Sequence, residues 1–431
     1  MEQKPVKIFS SGKTPRLAYI AEIILHDILG LSWEIITDKR KIGKNPVINY
    51  TDGNIPDSIK ISPDALLFEH GIRPVDIEAS EFMGVPFFFK SSPDSDLPFD
   101  IFAASFYLVS RYEEYRECRN SSAGQFKASD SVACRCGFLE ISIVEIWSKM
   151  LAKALAARFY SMTFKPGDFR TIASFNINDP FSGHGRNILG NIAGLFRDIA
   201  GRKAQENVTV EEHGAISGVV DYFTSITEKY GTDSMFFFPV GNQSKHDKGP
   251  SWKNADYRKV ICNLHHNHPA GIYSSADASL SPGSAAKEIF RMKKITGKDV
   301  IINRFNPSHL IMPASYRQIS ALGIREDHSM GYDDHPGFRA GISRPFLFYD
   351  LYEEQITRLQ IYPFQLTDHA LRDSMGQGVQ NAKSVIKGII REVRRAGGIF
   401  VSVWNDDSFF HESATDLIKE IFEFTLGIQD Q

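Results

Sequence analysis

The sequence predicts an α/β protein: a smaller N-terminal unit of strands and helices, followed by a distorted (β/α) barrel. Two observations predict this. From residue 171 onward, apolar strand-like runs alternate with amphipathic helical runs, the pattern of βα units around a mainly parallel sheet. Before residue 165, short apolar runs sit between turn clusters and beside helical repeats, which fits a small sheet covered by helices. The length of 431 residues accommodates both parts. The boundary is placed between an accessory unit at 1–164 and a barrel at 165–431.

In the first part, Val47–Tyr50, Ala65–Phe68 and Val85–Phe89 read as strands. Leu17, Ile20, Ile23, Ile24 and Ile28 lie at helical spacing between Pro15 and Leu29, with Thr14 as N-cap. Phe102, Phe106, Leu108 and Val109 repeat the pattern between Asp100 and Tyr115, with Asp100 as N-cap. A helix from about Ile141 to Tyr160 joins the two parts. The barrel strands are expected at Thr171–Ile177, Ser234–Val240, Ala270–Tyr273, Asp299–Asn303, Gly323–Arg325, Gly337–Ile342, Leu359–Phe364 and Gly398–Trp404. Helices are expected at Val219–Lys229, Ala285–Thr296, Ala314–Leu322, Tyr349–Thr357 and Asn381–Ala396. The loop from 178 to about 216, with Arg186, Arg197, Arg202 and Lys203, reads as a lid or a solvated insertion.

Composition bounds the partners. Lysine and arginine total 49 against 52 acids, a formal charge of -3, so no basic excess is present to neutralise nucleic-acid phosphates. No run approaches the apolar length of a membrane span, and the first residues lack the apolar core of a signal peptide. The four cysteines, Cys118, Cys134, Cys136 and Cys262, are too few for a disulfide framework. Cys134 and Cys136 are either a redox or metal pair or two ordinary thiols on a strand. A reducing cytoplasm is the expected compartment.

Barrel enzymes gather their chemistry where strands end. Here the strand ends bring Asn178-Asp179, Gly241-Asn242, Tyr273-Ser274-Ser275, Arg304 with Asn306, Asp327-His328-Ser329, Arg339, Asp368 and Asn405-Asp406-Asp407. The cluster His265-His266-Asn267-His268 precedes the strand at 270, which puts it at the opposite end, as a solvated turn.

Asp327-His328-Ser329-Met330-Gly331-Tyr332, Pro336 to Gly341, Arg344-Pro345-Phe346 and Tyr349-Asp350-Leu351 resemble a bacterial branch of the polysaccharide deacetylases. These are the NodB-homology enzymes of carbohydrate esterase family 4. The resemblance spans about 165–427. Leu97 to Asp100 and Ser110 to Tyr115 resemble the unit placed ahead of the barrel in that branch. The resemblance implies removal of N- or O-acetyl groups from carbohydrate. A divalent metal on one aspartate and two histidines would polarise the carbonyl and activate water, with a second aspartate as base and a further histidine as acid.

The chain departs from that pattern. Asp179 is retained as a metal ligand, but Asn178 stands at the base position and an amide is not a base. Tyr273 stands where the family places a metal-binding histidine, Asn306 where the next strand carries another, and Asn405 where the acid is expected after Trp404. Arg339 and Asp368 match retained family positions. Arg304, Asn306, Tyr273 and Trp404 are the expected ligand-binding residues, and Trp252 is a further candidate for stacking on a pyranose. The expectation is a degenerate deacetylase-like protein, with weak or absent catalysis, that binds a carbohydrate or glycan in surface-glycan metabolism. No cofactor is expected. The alternative is an active deacetylase holding zinc in a rearranged site, for which His184, His328 and His335 are the histidines near the mouth. No protein partner is specified by the sequence.

Overall fold

The computed structural model describes residues 4–117, 126–181, 218–243, 249–376, 378–409 and 415–428. Near the N-terminus, β1 (Val6–Ser10), β2 (Trp33–Ile36), β3 (Val47–Tyr50) and β4 (Ile59–Lys60) form a parallel sheet in the order β2-β1-β3-β4. Parallel neighbours need a crossover, and the helix Pro15–Ala21 with its π-helical continuation Glu22–Ile28 supplies it between β1 and β2. Thr14 caps that helix, its hydroxyl accepting from the Leu17 N–H at 3.1 Å, with proline at the first turn.

Asp100 caps the helix Ile101–Val109, accepting from the N–H groups of Phe102 and Ala103 at 3.0 and 3.1 Å. This helix stops short of the expected Tyr115. Arg111 adopts a left-handed φ of 56°, which breaks the helical ladder before a short turn of helix at Glu114–Glu117. Ala65–Leu67 is a 3-10 turn rather than a strand, because the Asp64 carboxylate accepts from the Leu66 N–H at 2.8 Å and winds the backbone. The hairpin β5 (Ser80–Phe82) and β6 (Val85–Phe87) follows, and the helix Ile143–Arg158 closes this part.

The second sheet has nine strands: β7 (Arg170–Asn176), β8 (Asp233–Phe238), β9 (Ala270–Ser274), β10 (Ile302–Phe305), β11 (Glu326–Asp327), β12 (Phe346–Asp350), β13 (Gln355–Ile361), β14 (Leu366–Thr367) and β15 (Ile399–Asn405). The order is β12-β13-β11-β10-β9-β8-β7-β15-β14, parallel throughout except for β12 against β13. Four residues join β13 to β14. Tyr362 N–H donates to Asp327 O at 2.8 Å and Gln365 N–H to Val401 O at 3.1 Å, so one run lies against β11 at its start and β15 at its end. The expected α/β class with a mainly parallel sheet is present.

Three expected elements differ. The strand expected at Gly323–Arg325 begins only at Glu326, because Gly323, at φ 97°, turns the chain out of the preceding helix. Gly337–Ile342 is a buried turn, with Gly341 at φ 68° and its Cα so placed that an added Cβ would lie 2.9 Å from Leu108 Cδ1. Tyr349–Thr357 is not a helix but parts of β12 and β13. The alternation and β-branching of Gln355-Ile356-Thr357-Arg358-Leu359 favour a strand, and Glu354 turns the chain at φ 47°. The helices Ala255–Asn267 and Thr415–Gly427 were not foreseen. His265 and His266 therefore sit on a last helical turn, not a free loop, and Cys134 lies in a short helix, Val132–Arg135, rather than a strand. His184, Cys118 and all of the expected lid beyond Phe181, with its arginines, lie outside the described residues.

One hydrophobic core runs through both parts: Leu108, Ile143 and Trp147 share it with Tyr316, Ile342, Phe348 and Leu359. The Tyr19 ring lies 4.9 Å from that of Tyr349 and its hydroxyl donates to Leu347 O at 2.7 Å. A second core, including Phe175, Phe223, Ile386 and Trp404, lies between the large sheet and the later helices. Among the described residues no helix is long and apolar enough to cross a membrane.

Candidate functional site at the strand ends

Side chains from strands that are not neighbours meet over one face of the large sheet. Arg304 on β10 donates from Nη1 to Asn176 Oδ1 on β7 at 3.1 Å, although β8 and β9 lie between them. Such a bond requires the sheet to curl, so this face is concave. Its inner lining continues with Phe237, whose ring lies 4.0 Å from the Arg304 guanidinium carbon, and with His328, whose carbonyl accepts from Arg304 Nε at 3.0 Å.

From Asn176 a chain of hydrogen bonds runs along the strand ends. Its Nδ2 donates to Asn405 Oδ1 at 3.0 Å, and Asn405 Nδ2 donates to Asp368 Oδ1 at 2.7 Å. The Asn405 backbone N–H also donates to Asp368, at 3.2 Å. Burial pushes the Asp368 carboxyl above the ordinary carboxylate range, against the pull of His369 and these bonds. His328 stacks on Tyr362 at 4.6 Å, and burial drives its imidazole down to about 4, neutral at pH 7.

Tyr273 is the register partner of Arg304 on the adjacent strand. Burial pushes its phenol further above its usual value, the charges of Asp333 and Asp407 add to this, and hydrogen bonding to Asn306 opposes it. Asn306 also caps the following turn by accepting from the Ser308 N–H at 2.9 Å. Next to this, Asp333 Oδ2 lies 3.4 Å from His369 Nδ1; burial lowers the imidazole, but Asp333 and Asp368 outweigh it and hold it above its ordinary value.

The structure brings Arg304, Asn405 and Asp368 into one network and pairs Tyr273 with Asn306. It places the other expected residues differently. The amide inside the network is Asn176, whereas Asn178 donates its backbone N–H to Asp406 Oδ1 at 2.9 Å. Asp179 donates its N–H to the other oxygen of Asp406 at 2.8 Å and turns its own carboxylate onto the Phe181 N–H at 3.2 Å. Arg339 lies in the buried turn and grips Glu114 of the N-terminal part, through bonds of 2.8 and 2.7 Å. Trp404 is a correction: fully buried, packed on Phe422 at 4.9 Å with Nε1 held by Ser402, it has no face to offer a sugar. Trp252 is half-buried, and the cations of Arg291, Lys253 and Lys294 approach its ring.

His369 and Glu114 were not foreseen as functional, and Asn176 and Asp406, both at strand ends, were given no role. Asn176 and Asn178 are separated by one strand period, so they share a face, and only depth along the strand tells them apart. Asp406 is fully buried, and burial pushes its carboxyl up to about 7 against the two backbone N–H groups it accepts.

Zinc is held by thiolate, neutral imidazole or carboxylate. At the expected ligand positions the chain offers Asp179, a phenol whose proton is held more tightly than usual, and an amide. That donor set does not fit zinc. Among the described residues, three His, Cys, Asp or Glu ligand atoms lie within 4.8 Å of one another only at Glu22, His26 and Asp27, exposed and far from the strand ends in sequence.

Comparison with known proteins adds the following. Residues 6–160 match a family of unknown function, DUF7033. No curated protein matches the sequence. Among solved structures, one designated a polysaccharide deacetylase, from Mycobacterium smegmatis, shows 13% identity over 62% of this chain and 88% of its own, with a TM-score of 0.38. The Puue allantoinase shows 10% identity over 60% and 84%, with a TM-score of 0.36. A CE4 family pseudoenzyme from Bacillus anthracis shows 9% identity over 62% and 63%, with a TM-score of 0.28.

Proposed function

We propose that this chain is a degenerate polysaccharide deacetylase-like protein that binds carbohydrate at its strand ends and has lost metal-dependent deacetylation. On this proposal residues 1–164 form an accessory unit and 165–431 a deacetylase-type barrel, in a cytoplasmic protein acting in surface-glycan metabolism. The observation that carries it is the chemistry of the network itself. At the positions expected for base, acid and ligands stand the amides Asn178, Asn405 and Asn306 and the phenol Tyr273 with a raised pKa, none of which can take a proton from water near pH 7, and the network's one carboxylate, Asp368, is buried and bonded to Asn405. The same groups are good donors and acceptors for sugar hydroxyls. Tyr273, Asn306 and Arg304 would meet the ligand, Asp368 would hold the concave face in shape, and Arg339 would fix the turn beside it.

The test is a titration of the purified full chain with zinc, cobalt and nickel, followed by acetate release from chitooligosaccharide. No tight stoichiometric site and no acetate are expected. A tight site with turnover overturns the proposal in favour of a working deacetylase with a rearranged site. A glycan array run on the wild type and on Tyr273→Ala tests ligand binding, and a blank array overturns that half.

A further inference from the structure

Arg304 is 1% exposed, yet among the described residues no carboxylate lies within ion-pair distance of it. Its Nε and Nη1 are spent on the His328 carbonyl and the Asn176 amide, and Nη2 is buried with no hydrogen-bond partner. The neighbours that might have been acids are amides, and His328 beside it is neutral. A charge taken out of water persists only where something compensates it, and here the direct contacts are one aromatic face and two neutral oxygens, with Asp327 and Tyr273 acting only through space. Burial accordingly draws its pKa down to about 9. Arginine elsewhere in this protein is treated otherwise: Arg339, equally buried, meets a carboxylate through both arms of its fork.

We infer that Arg304 is the recognition point for a carboxylate on the ligand, which makes the preferred ligand an acidic saccharide of the uronic-acid class. This rests on the carbohydrate-binding proposal and names its substrate class. The free Nη2 supplies a charge-assisted donor for one planar monoanion. Tyr273, beside Arg304 in register, lies in the field of Asp333 and Asp407. That acidic rim repels a phosphate dianion more strongly than a single carboxylate, and it accepts from the hydroxyls of the sugar that carries the carboxylate.

The experiment is calorimetric titration of the full chain with trigalacturonic acid and with its methyl ester, which keeps the ring hydroxyls and removes the charge. The acid is expected to bind about tenfold or more tightly than the ester. In Arg304→Gln the preference for the acid should be lost, so that the two ligands bind alike. Equal affinity of acid and ester for the wild type overturns the inference and leaves carbohydrate binding standing. Selective binding of the acid that survives Arg304→Gln overturns the assignment to Arg304. Binding of neither overturns the inference, and the glycan array decides whether the carbohydrate proposal falls with it. If Arg304→Gln does not fold, the acid and ester comparison on the unmodified chain decides.

Discussion

Glu114 and Arg339, 225 residues apart, form a bidentate ion pair of 2.8 and 2.7 Å with both side chains essentially fully buried. Arg111 joins it, donating from Nε to Glu114 at 2.7 Å and from Nη1 to the Arg339 carbonyl. Burial alone would raise the Glu114 carboxyl, but the two guanidinium groups outweigh it and hold it down to about 2. A depressed carboxylate contributes stability that is present above pH 4.5 and lost as pH falls toward 2. Glu114→Ala leaves two buried cations short of a partner and should cost about 3–5 kcal/mol in chemical denaturation at pH 7. The difference between wild type and variant should shrink as pH falls from about 4.5 to about 2.5. A constant difference would show that the pair does not titrate with folding.

Asp406 has the opposite sign. Its carboxyl is raised to about 7, so its bound proton favours the fold. That contribution is fully present below the ordinary carboxylate range and is lost as pH rises through about 7. Asp406→Asn carries no titrating proton, so it removes this pH dependence. The advantage of wild type over Asp406→Asn should be largest below about pH 4 and narrow toward pH 7, as read by urea denaturation, with a slope of up to about 1.4 kcal/mol per pH unit.

The imidazole of His369 should titrate above its ordinary value because Asp333 faces it. Asp333→Asn removes the nearest charge and should lower the midpoint by about half a pH unit or more, measured by NMR of the ring protons. An unchanged midpoint would place the cause elsewhere.

Gly331 supplies the carbonyl that accepts from Arg339 Nη1 at 3.0 Å, and its Cα faces the buried ring of Phe364. A Cβ there would come within 2.3 Å of Phe364 Cε2. Gly331→Ala should therefore cost about 2–3 kcal/mol, and Phe364→Leu in the same chain should recover part of it. Additive losses in the double variant would mean that the ring is not what the methyl meets.

Legibility in the sequence followed the length of the pattern. The strands β7, β8, β9 and β15 and the helices Ala285–Thr296 and Asn381–Ala396 announced themselves because a long run repeats its period. β11 is two residues long, and its neighbour relations come from the sheet rather than from any local signal. The buried turn at Gly337–Ile342 is apolar because it packs on Leu108 and Ile143, which imitates a strand in the sequence. At the site, residue types at strand ends pointed to Arg304, Asn405 and Asp368, but pairing across the concave face could not be deduced from spacing. Glu114 and Arg339 were each conspicuous, and only the fold makes them partners. Trp404 was misjudged since nothing local distinguishes an indole facing helices from one facing a ligand.

The continuity of the interior from Leu108 and Ile143 to Ile342 and Phe348 has a practical meaning for anyone dissecting the molecule. Severed near residue 164, each fragment would carry a raw oily wound where the other had been, along with half of an ionic clasp. Expressed separately, the pieces should precipitate or cling to chaperones, whereas co-expression should let them find each other, so the inseparable unit of inheritance here is the whole chain.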